Sequence, residues 1–538
     1  MAAPSYTTDL TAGVITTAET TTGWSALGGG QSGLNDETDY FIQGNQCVSK
    51  NGFTASTRGQ IFNAGATTIA SGDAVFVWAK QNNRNLMQAQ AAGGFQVLIG
   101  SGTNAFDQFF VDGNDSEGSN LAGWRTYAVD PTATPSTTTG NPSGTSWFGG
   151  QWNIGGSGSL KGAPNAIDVI RHGRELRITD GDLANGYATF DGAATEDSQT
   201  ANAWGIITPI QGGYIFHGHL VMGQSGTPVD FRDSNRSVIV LEDSFVSSTF
   251  NEMSIVDASS VVQWTNIQIS HLGTTAPLVL TLNEGTFTGL GCRFDGCGTT
   301  TFSSSQSCQN STWANSGQIT HAGANLSGST VTGYTGTANS SAVVYDVAAD
   351  PDGETDNMTF EMGSTATHAI EFGLNSPTDM TLRGCDFTGY GSTNDANDSV
   401  FEFKRTTGTV NLNLVGCTTD GSFSYRAPAG LMVNIIIDPV TTLVTVIDAV
   451  DKSVIQGARV LVTAAAGGPL TEGATIISAI SDVNGQASDS RTLASDQPIT
   501  GKVRLSSTPG SLYKQGNISG TISSTSGFST TVQMIPDE

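Results

Sequence analysis

Positive charge is scarce in this chain. Its 538 residues include 22 Lys and Arg against 48 Asp and Glu, which gives a formal charge of −26. Proteins that bind nucleic acids or anionic membranes do so through clustered basic side chains. The sequence therefore argues against nucleic acid as a partner, and the excess negative charge is explained by the need to keep an exposed surface dispersed.

Long apolar runs are also missing. The longest candidate, from Leu431 to Ile437, is interrupted by Asn434 and falls far short of the ~20 residues that cross a membrane as a helix. The opening residues, MAAPSYTTDLTAG, contain neither the basic nor the apolar segment of a secretory signal. We therefore expect no membrane insertion, synthesis in a cytoplasm, and exit by lysis or by assembly into a particle.

Cysteine is sparse as well. The cysteines form no CxxC pair and no zinc-binding spacing, and a disulfide scaffold would contain cysteine at a higher density. We expect reduced, buried thiols at all six positions: Cys47, Cys292, Cys297, Cys308, Cys385 and Cys417.

Helical periodicity is rare, and charged residues make up 13% of the chain where about 25% is usual. Thr, Ser, Asn and 67 glycines supply the polar character instead, and these residues favour strands and the tight turns between them. Hydrophobic residues, 37% of the total, recur as short runs along the whole length. The composition predicts a folded, all-β protein of several domains.

Residues 1–130 contain strand-like runs that turn clusters separate at the intervals of a β-sandwich. Phe95–Ile99 is one such run, and Gly123–Val129 is the last. Their order resembles a concanavalin-type jelly-roll, which implies a sandwich that either binds glycans or serves a structural purpose. The Pro/Thr/Gly-rich residues 131–144 have little to bury and are predicted to form a linker.

Residues 145–430 carry a weak repeat. Three segments share a glycine, a cysteine, a short strand and a second glycine: Gly291–Gly296, Gly384–Gly389 and Gly416–Gly421. The spacing of these and related segments, roughly 18 to 32 residues, fits one turn of a parallel β-helix. Alternation would place the cysteines in a stacked core, with glycine at the corners. A chain of several sandwiches would share much of this pattern.

Residues 440–538 form the third predicted domain. It contains the segments Leu443–Asp448 (LVTVID), Ile455–Val462 (IQGARVLV) and Ser481–Ala487 (SDVNGQA). Their succession resembles the immunoglobulin-like modules of the carboxypeptidase-regulatory type, which implies a C-terminal β-sandwich that acts as a spacer or attachment domain. The Asn-Gly pair in the last segment predicts a hairpin turn.

One histidine pair, His217 and His219, invites a metal hypothesis. Strand alternation would place both imidazoles on one face, where they could hold a transition metal. The motif resembles the H-x-H pairs of trimeric phage spikes, which meet on the spike axis. Two surface histidines on a strand are the favoured interpretation, and the sequence assigns no metal ligand and no cofactor.

Acidic residues offer two further hypotheses. The stretches 112–117 and 350–356 have the oxygen ligands that calcium prefers, but neither has EF-hand spacing, so solvated turns are the favoured interpretation. Many β-helix proteins cleave polysaccharides with paired carboxylates in a groove. Four acids could face outward on neighbouring coils: Asp243, Glu284, Asp295 and Asp386. The sequence does not fix their separations, so no catalytic residue is assigned.

The order of a sandwich, a β-helix and a terminal immunoglobulin-like module resembles the fibres, spikes and head-decoration proteins of tailed bacteriophages. The resemblance implies a non-enzymatic structural component of the virion, made in the host cytoplasm. Its expected partners are other virion proteins, host surface glycans and copies of itself, with a trimer favoured. The alternatives are a polysaccharide-degrading tailspike enzyme and a bacterial surface adhesin.

Overall fold

The computed structural model of the protein describes residues 3–27, 33–50, 57–81, 87–114, 123–154, 165–195, 205–241, 251–273, 276–493, 495–505, 512–524 and 526–537. The fold in these ranges is all-β, as the sequence predicts. Helical structure is limited there to α1 (Phe190–Thr195) and to 3-10 turns at Asp9–Thr11 and Gln90–Ala92. No described helix is long and apolar enough to cross a membrane.

The N-terminal unit is a sandwich of two sheets, ordered β10-β7-β13-β5-β4, with β2 also on β13, and β11-β9-β8-β12-β6-β3. The first strand of the chain, β1, belongs instead to the next unit. The strands are β1 (Ser5–Thr8), β2 (Val14–Thr16), β3 (Trp24–Leu27), β4 (Leu34–Glu37), β5 (Cys47–Lys50), β6 (Thr57–Asn63), β7 (Ala74–Gln81), β8 (Phe95–Gly102), β9 (Ala105–Asp112), β10 (Gly123–Val129), β11 (Thr137–Thr139), β12 (Trp147–Asn153) and β13 (Asn165–Gly173).

This sandwich extends beyond residue 130, where the sequence analysis ends it. Strand β11 pairs with β9, β12 lies between β6 and β8, and β13 pairs with β7. The predicted linker at 131–144 is therefore a loop and an edge strand within the sandwich, and, apart from β1, the β-helix begins at Glu175 instead of residue 145. The prediction was wrong because composition does not distinguish a Pro/Thr/Gly-rich loop within a domain from a linker between domains.

Strand β7 is buried on both of its faces. Val75 and Val77 point into the sandwich core, while Phe76 and Trp78 point into the core of the β-helix. This double burial explains why the first six residues of β7, Ala74 to Ala79, are an uninterrupted apolar run without polar alternation. The sandwich and the β-helix are thus joined through a continuous core that includes residues from Leu10 to Leu431.

The central unit is a parallel β-helix with three faces. Face 1 has the strand order β1-β14-β17-β20-β23-β26-β29-β31-β33-β36-β39, and face 2 has the order β15-β16-β19-β22-β25-β28-β30-β32-β35-β38. Face 3 consists of two shorter sheets, β18-β21-β24-β27 and β34-β37-β40. The strands are β14 (Glu175–Thr179), β15 (Ile207–Ile210), β16 (Gly213–Phe216), β17 (His219–Met222), β18 (Asp230–Ser234), β19 (Ser237–Val240), β20 (Glu252–Ile255), β21 (Val261–Thr265), β22 (Gln268–His271), β23 (Val279–Thr281), β24 (Thr286–Leu290), β25 (Arg293–Asp295), β26 (Thr300–Thr301), β27 (Ser307–Gln309), β28 (Thr312–Ala314), β29 (Ile319–Thr320), β30 (Thr330–Thr332), β31 (Ser341–Tyr345), β32 (Thr359–Glu361), β33 (His368–Phe372), β34 (Asp379–Arg383), β35 (Asp386–Thr388), β36 (Phe401–Phe403), β37 (Gly408–Val415), β38 (Thr418–Thr419), β39 (Tyr425–Arg426) and β40 (Leu431–Ile437).

One corner of the β-helix has the same backbone conformation in coil after coil. The residue two positions before each face 2 strand from β19 to β38 has a positive φ, and it is always asparagine or glycine. These residue types adopt the left-handed region at the lowest cost. They are Asn235, Asn266, Gly291, Asn310, Gly328, Asn357, Gly384 and Gly416.

The cysteine that follows three of these corners is buried, as predicted. The thiols of Cys292, Cys385 and Cys417 each donate a hydrogen bond to a backbone carbonyl of the preceding coil, at 3.5, 3.2 and 3.4 Å. All six cysteines are buried and unbridged. Burial raises the pKa of Cys297 to about 12, so this thiol is structural and unreactive at neutral pH.

The C-terminal unit is a sandwich of a three-stranded sheet, β44-β41-β47, and a five-stranded sheet, β43-β42-β45-β46-β48. Its core is a separate apolar cluster that includes Val444, Val460 and Val503. The strands are β41 (Val440–Asp448), β42 (Arg459–Ala464), β43 (Thr475–Ile480), β44 (Gln486–Arg491), β45 (Gln497–Leu505), β46 (Leu512–Ile522), β47 (Phe528–Met534) and β48 (Pro536–Asp537).

Candidate functional site

The two histidines of the metal hypothesis do not share a face. Gly218 between them has a φ of +81° and forms a corner, so strand alternation does not apply. His217 is fully buried beside Phe76, whereas His219 opens β17 and is half-buried on face 1. The prediction of a shared face is therefore wrong. No group of three or more potential metal ligands occurs in the described ranges.

In the two acidic stretches, the carboxylates described below bind other groups of the protein. Asp112 is buried and pairs with the guanidinium of Arg125 at 3.0 Å; residues 115–117 lie outside the described residues. Asp352 accepts two hydrogen bonds from Arg383, at 2.6 and 3.0 Å, and Asp350 accepts the backbone N–H of Thr381 at 2.8 Å. These carboxylates hold turns and neighbouring coils together.

The four carboxylates predicted to lie on neighbouring coils are not brought together. Asp243 lies outside the described residues. Asp295 and Asp386 are both on face 2, but four strand intervals separate β25 from β35, a distance of about 19 Å at the usual strand spacing. Asp295 lines a groove of about 990 Å³ between faces 2 and 1, where Arg293 pairs with it at 2.8 Å. Glu284 lines a different groove, on face 1.

That second groove has a row of polar side chains on its floor. Glu175, His219 and Glu252 open the neighbouring strands β14, β17 and β20 and are direct partners in parallel register. The residue after each of them is fully buried, so strand alternation turns all three side chains outward. Residues that are far apart in the sequence thus form one row on the surface.

We call this groove, whose floor carries Glu175, His219 and Glu252, the carboxylate groove. Its volume is about 740 Å³. Its floor is face 1, and its rim is formed by the loops that follow β20 and β23. Beyond the row itself, its charged lining residues are Arg177, Asp257 and Glu284. Three lining residues outside the row thus add two negative charges and one positive charge.

Each glutamate of the row has one defined partner. Arg177 donates two hydrogen bonds to Oε1 of Glu175, from Nε at 2.8 Å and from Nη2 at 2.6 Å. Thr281 donates its hydroxyl hydrogen to Oε1 of Glu252 at 2.8 Å. The guanidinium contact is a charge-assisted hydrogen bond, whereas the hydroxyl contact leaves Oε2 of Glu252 outside this hydrogen bond.

The spacing of the two glutamates is set by the β-helix. Parallel strands lie about 4.8 Å apart, so the Cα atoms of Glu175 and Glu252, two strands apart, are separated by about 9.6 Å. Glycosidases that invert configuration keep their two carboxyl groups about 6.5–9.5 Å apart, and retaining enzymes keep them about 5–5.5 Å apart. This Cα spacing is well above the retaining separation and lies just beyond the upper end of the inverting range.

A second pair of glutamates lies further along face 1. Glu371 and Glu402 are direct partners on β33 and β36. The ammonium of Lys404 lies 2.7 Å from Glu402 and 3.5 Å from Glu371, and burial raises the pKa of Glu371. Because an internal cation already bridges both carboxylates, this cluster serves as an ion network that stabilises the coil.

Glu284 is one of the acids that the sequence predicts to face outward, whereas Glu175 and Glu252 are not. The sequence does contain a pattern that indicates the row. Three segments begin with a polar residue and have apolar residues at the second and fourth positions: ELRI, HLVM and EMSI. The intervals between these segments, 44 and 33 residues from Glu175 to His219 to Glu252, are too irregular for a repeat to reveal the register.

A scan of protein families and a search of curated proteins both find no match. Among solved structures, a substituted catalytic domain of a GH87 alpha-1,3-glucanase with bound tetrasaccharides is similar at 12% identity and a TM-score of 0.22, over 81% of this chain and 88% of that one. A second such domain, with nigerose, gives 10% identity and a TM-score of 0.21, over 81% and 99%.

Proposed function

We propose that this protein cleaves a polysaccharide in the carboxylate groove. The observation that carries the proposal is the register of face 1, which places Glu175 and Glu252 in one outward row two strands apart. That interval is closer to the carboxyl separation of inverting glycosidases than to that of retaining ones. An open groove on the side of a β-helix also accepts a chain that extends beyond both of its ends.

We infer the roles of the two glutamates from their contacts. Glu252 is the general acid: it gives its proton to the glycosidic oxygen as the bond from that oxygen to the anomeric carbon breaks. Glu175, held by Arg177, is the general base: it takes a proton from a water whose oxygen attacks the anomeric carbon from the opposite face. The products are a new reducing end and a new non-reducing end.

We further propose that the chain acts as a spike or fibre of a phage particle, synthesised in the host cytoplasm. Support comes from the core that joins the N-terminal sandwich to the β-helix, because a shared core holds the groove rigidly relative to the sandwich. In this role the protein contacts other virion proteins and host surface glycans and forms a homo-oligomer, with a trimer favoured.

A second candidate is a virion component that binds no substrate in the groove and serves as a fibre or as head decoration. The favouring observation is the ion pair of Arg177 with Glu175, at 2.6 Å. Such a pair between outward residues of one strand also stabilises a coil that has no catalytic role. The two candidates differ in whether sugar ends are released.

The test is the release of reducing ends from a panel of bacterial surface polysaccharides. We expect the wild-type protein to release them from at least one member, and the double variant E175Q/E252Q to release none. A matched control is E361Q: Glu361 on face 2 also accepts a threonine hydroxyl, from Thr332 at 2.9 Å, and its loss should leave release unchanged. No release by the wild type, together with incorporation into particles, would favour the second candidate.

A further inference from the structure

Asp9 lies outside the carboxylate groove but holds the backbone of one of its glutamates. Its two carboxylate oxygens accept the N–H of Arg174, each at 3.0 Å, and Oδ1 also accepts the N–H of Glu175 at 3.1 Å. The neighbouring Thr8 donates its hydroxyl hydrogen to the carbonyl of Glu175 at 3.0 Å. Both backbone polar groups of Glu175 are thus held by the turn at residues 8 and 9.

Gly173 makes this contact possible. It is the last residue of β13 and has a φ of +146°, at the point where the chain leaves the sandwich for the first strand of the β-helix. A Cβ atom there would lie 2.5 Å from Oδ1 of Asp9, closer than nonbonded atoms approach. The Asp9 carboxylate therefore occupies space that a side chain at 173 would need.

The same stretch of backbone also supports the rest of the row. The carbonyl of Arg174, whose N–H is held by Asp9, accepts the N–H of His219 at 2.6 Å. The carbonyl of Gly218 in turn accepts the N–H of Glu252 at 3.0 Å. A series of hydrogen bonds therefore runs from Asp9 across the openings of β14, β17 and β20, where the three side chains of the row begin.

We propose that Asp9 is a positioning residue for the Glu175/Glu252 pair. The proposal rests on the function proposed above and adds that the turn between β1 and β2, through Asp9, sets the geometry of the groove. Without the carboxylate, the N–H groups of Arg174 and Glu175 lose their acceptor and the opening of β14 loosens. A displacement of about 1 Å at a reacting group lowers the rate by about 100-fold.

The test compares D9A, D9N and G173A with the wild type. We expect D9A to lower kcat by about 100-fold with little change in KM, because substrate binding to the rest of the groove is untouched. D9N should restore most of kcat, since its amide oxygen still accepts from the two N–H groups. G173A should lower kcat as D9A does, because the added Cβ would push the Asp9 carboxylate away from the N–H groups of Arg174 and Glu175. The control D36A removes an exposed carboxylate that accepts the N–H of Thr21 and should leave kcat unchanged.

Amide hydrogen exchange at Arg174 and Glu175 separates the two proposals. D9A should accelerate exchange at both positions and D9N should not. Wild-type kcat in D9A, or unchanged exchange there, would overturn the positioning role. If the wild-type protein cleaves nothing, the proposed function fails and the role of Asp9 in cleavage fails with it, while the exchange still shows whether Asp9 holds the strand.

Discussion

E252Q is expected to lower the rate of polysaccharide cleavage by about 10²–10⁴-fold, the usual contribution of a general acid. The amide cannot give a proton to the glycosidic oxygen, so a sugar hydroxyl becomes a poor leaving group. The fold should not change, because the amide oxygen can still accept the hydroxyl of Thr281 that Oε1 of Glu252 accepts. The measurement is kcat on the polymer that the wild-type protein cleaves best.

A second substrate tests whether Glu252 acts specifically as the general acid. An aryl glycoside whose leaving group needs no proton should be cleaved by E252Q almost as fast as by the wild type. E175Q should lose cleavage of both substrates, because it lacks the base that activates water. Equal losses on both substrates in E252Q would contradict the assignment of Glu252 as the acid.

Trp264→Ala is expected to lower the free energy of unfolding of the β-helix by about 3–5 kcal/mol, the usual cost of removing a large buried aromatic side chain. The indole is fully buried and packs against three rings, with centroid distances of 5.6 Å to Phe190, 6.0 Å to Phe231 and 5.4 Å to Phe287. Neighbouring coils stack through these rings, so the loss should spread beyond one coil. Urea unfolding monitored by circular dichroism measures the effect.

The control for this substitution lies next to it. Gln263 precedes Trp264 on β21 but points outward and is exposed, so Gln263→Ala should change the free energy of unfolding by less than about 0.5 kcal/mol. A loss of similar size in both variants would mean that strand pairing, and not the stacked rings, determines the stability of these coils.

The corners and the core of the β-helix could be predicted from sequence because they depend on residue type. Gly291, Gly384 and Gly416 have positive φ angles that only a few residue types tolerate, and the cysteine after each has a size and polarity that suit a dry interior. Such requirements leave a local pattern that recurs even when the coil length varies. The all-β class and the burial of the cysteines could therefore be predicted from residue type.

The carboxylate groove could not be predicted in the same way. Its row depends on which residues of β14, β17 and β20 are paired, and that register is set by loops of unequal length and by the shared sandwich core. A shift of one residue would turn Glu175 into the core and Leu176 toward solvent. The extent of the N-terminal sandwich was missed for a related reason, since β12 and β13 join it only through pairing with distant strands.

The most direct test of the central claim is the configuration of the first sugar product. Proton NMR recorded immediately after mixing, before mutarotation, identifies the anomer at the new reducing end. Glu175 and Glu252 are two strand intervals apart, farther than the carboxyl groups of retaining enzymes, so we predict an inverted anomer. A retained anomer would require carboxyl groups about 5–5.5 Å apart and would contradict the pairing of Glu175 with Glu252.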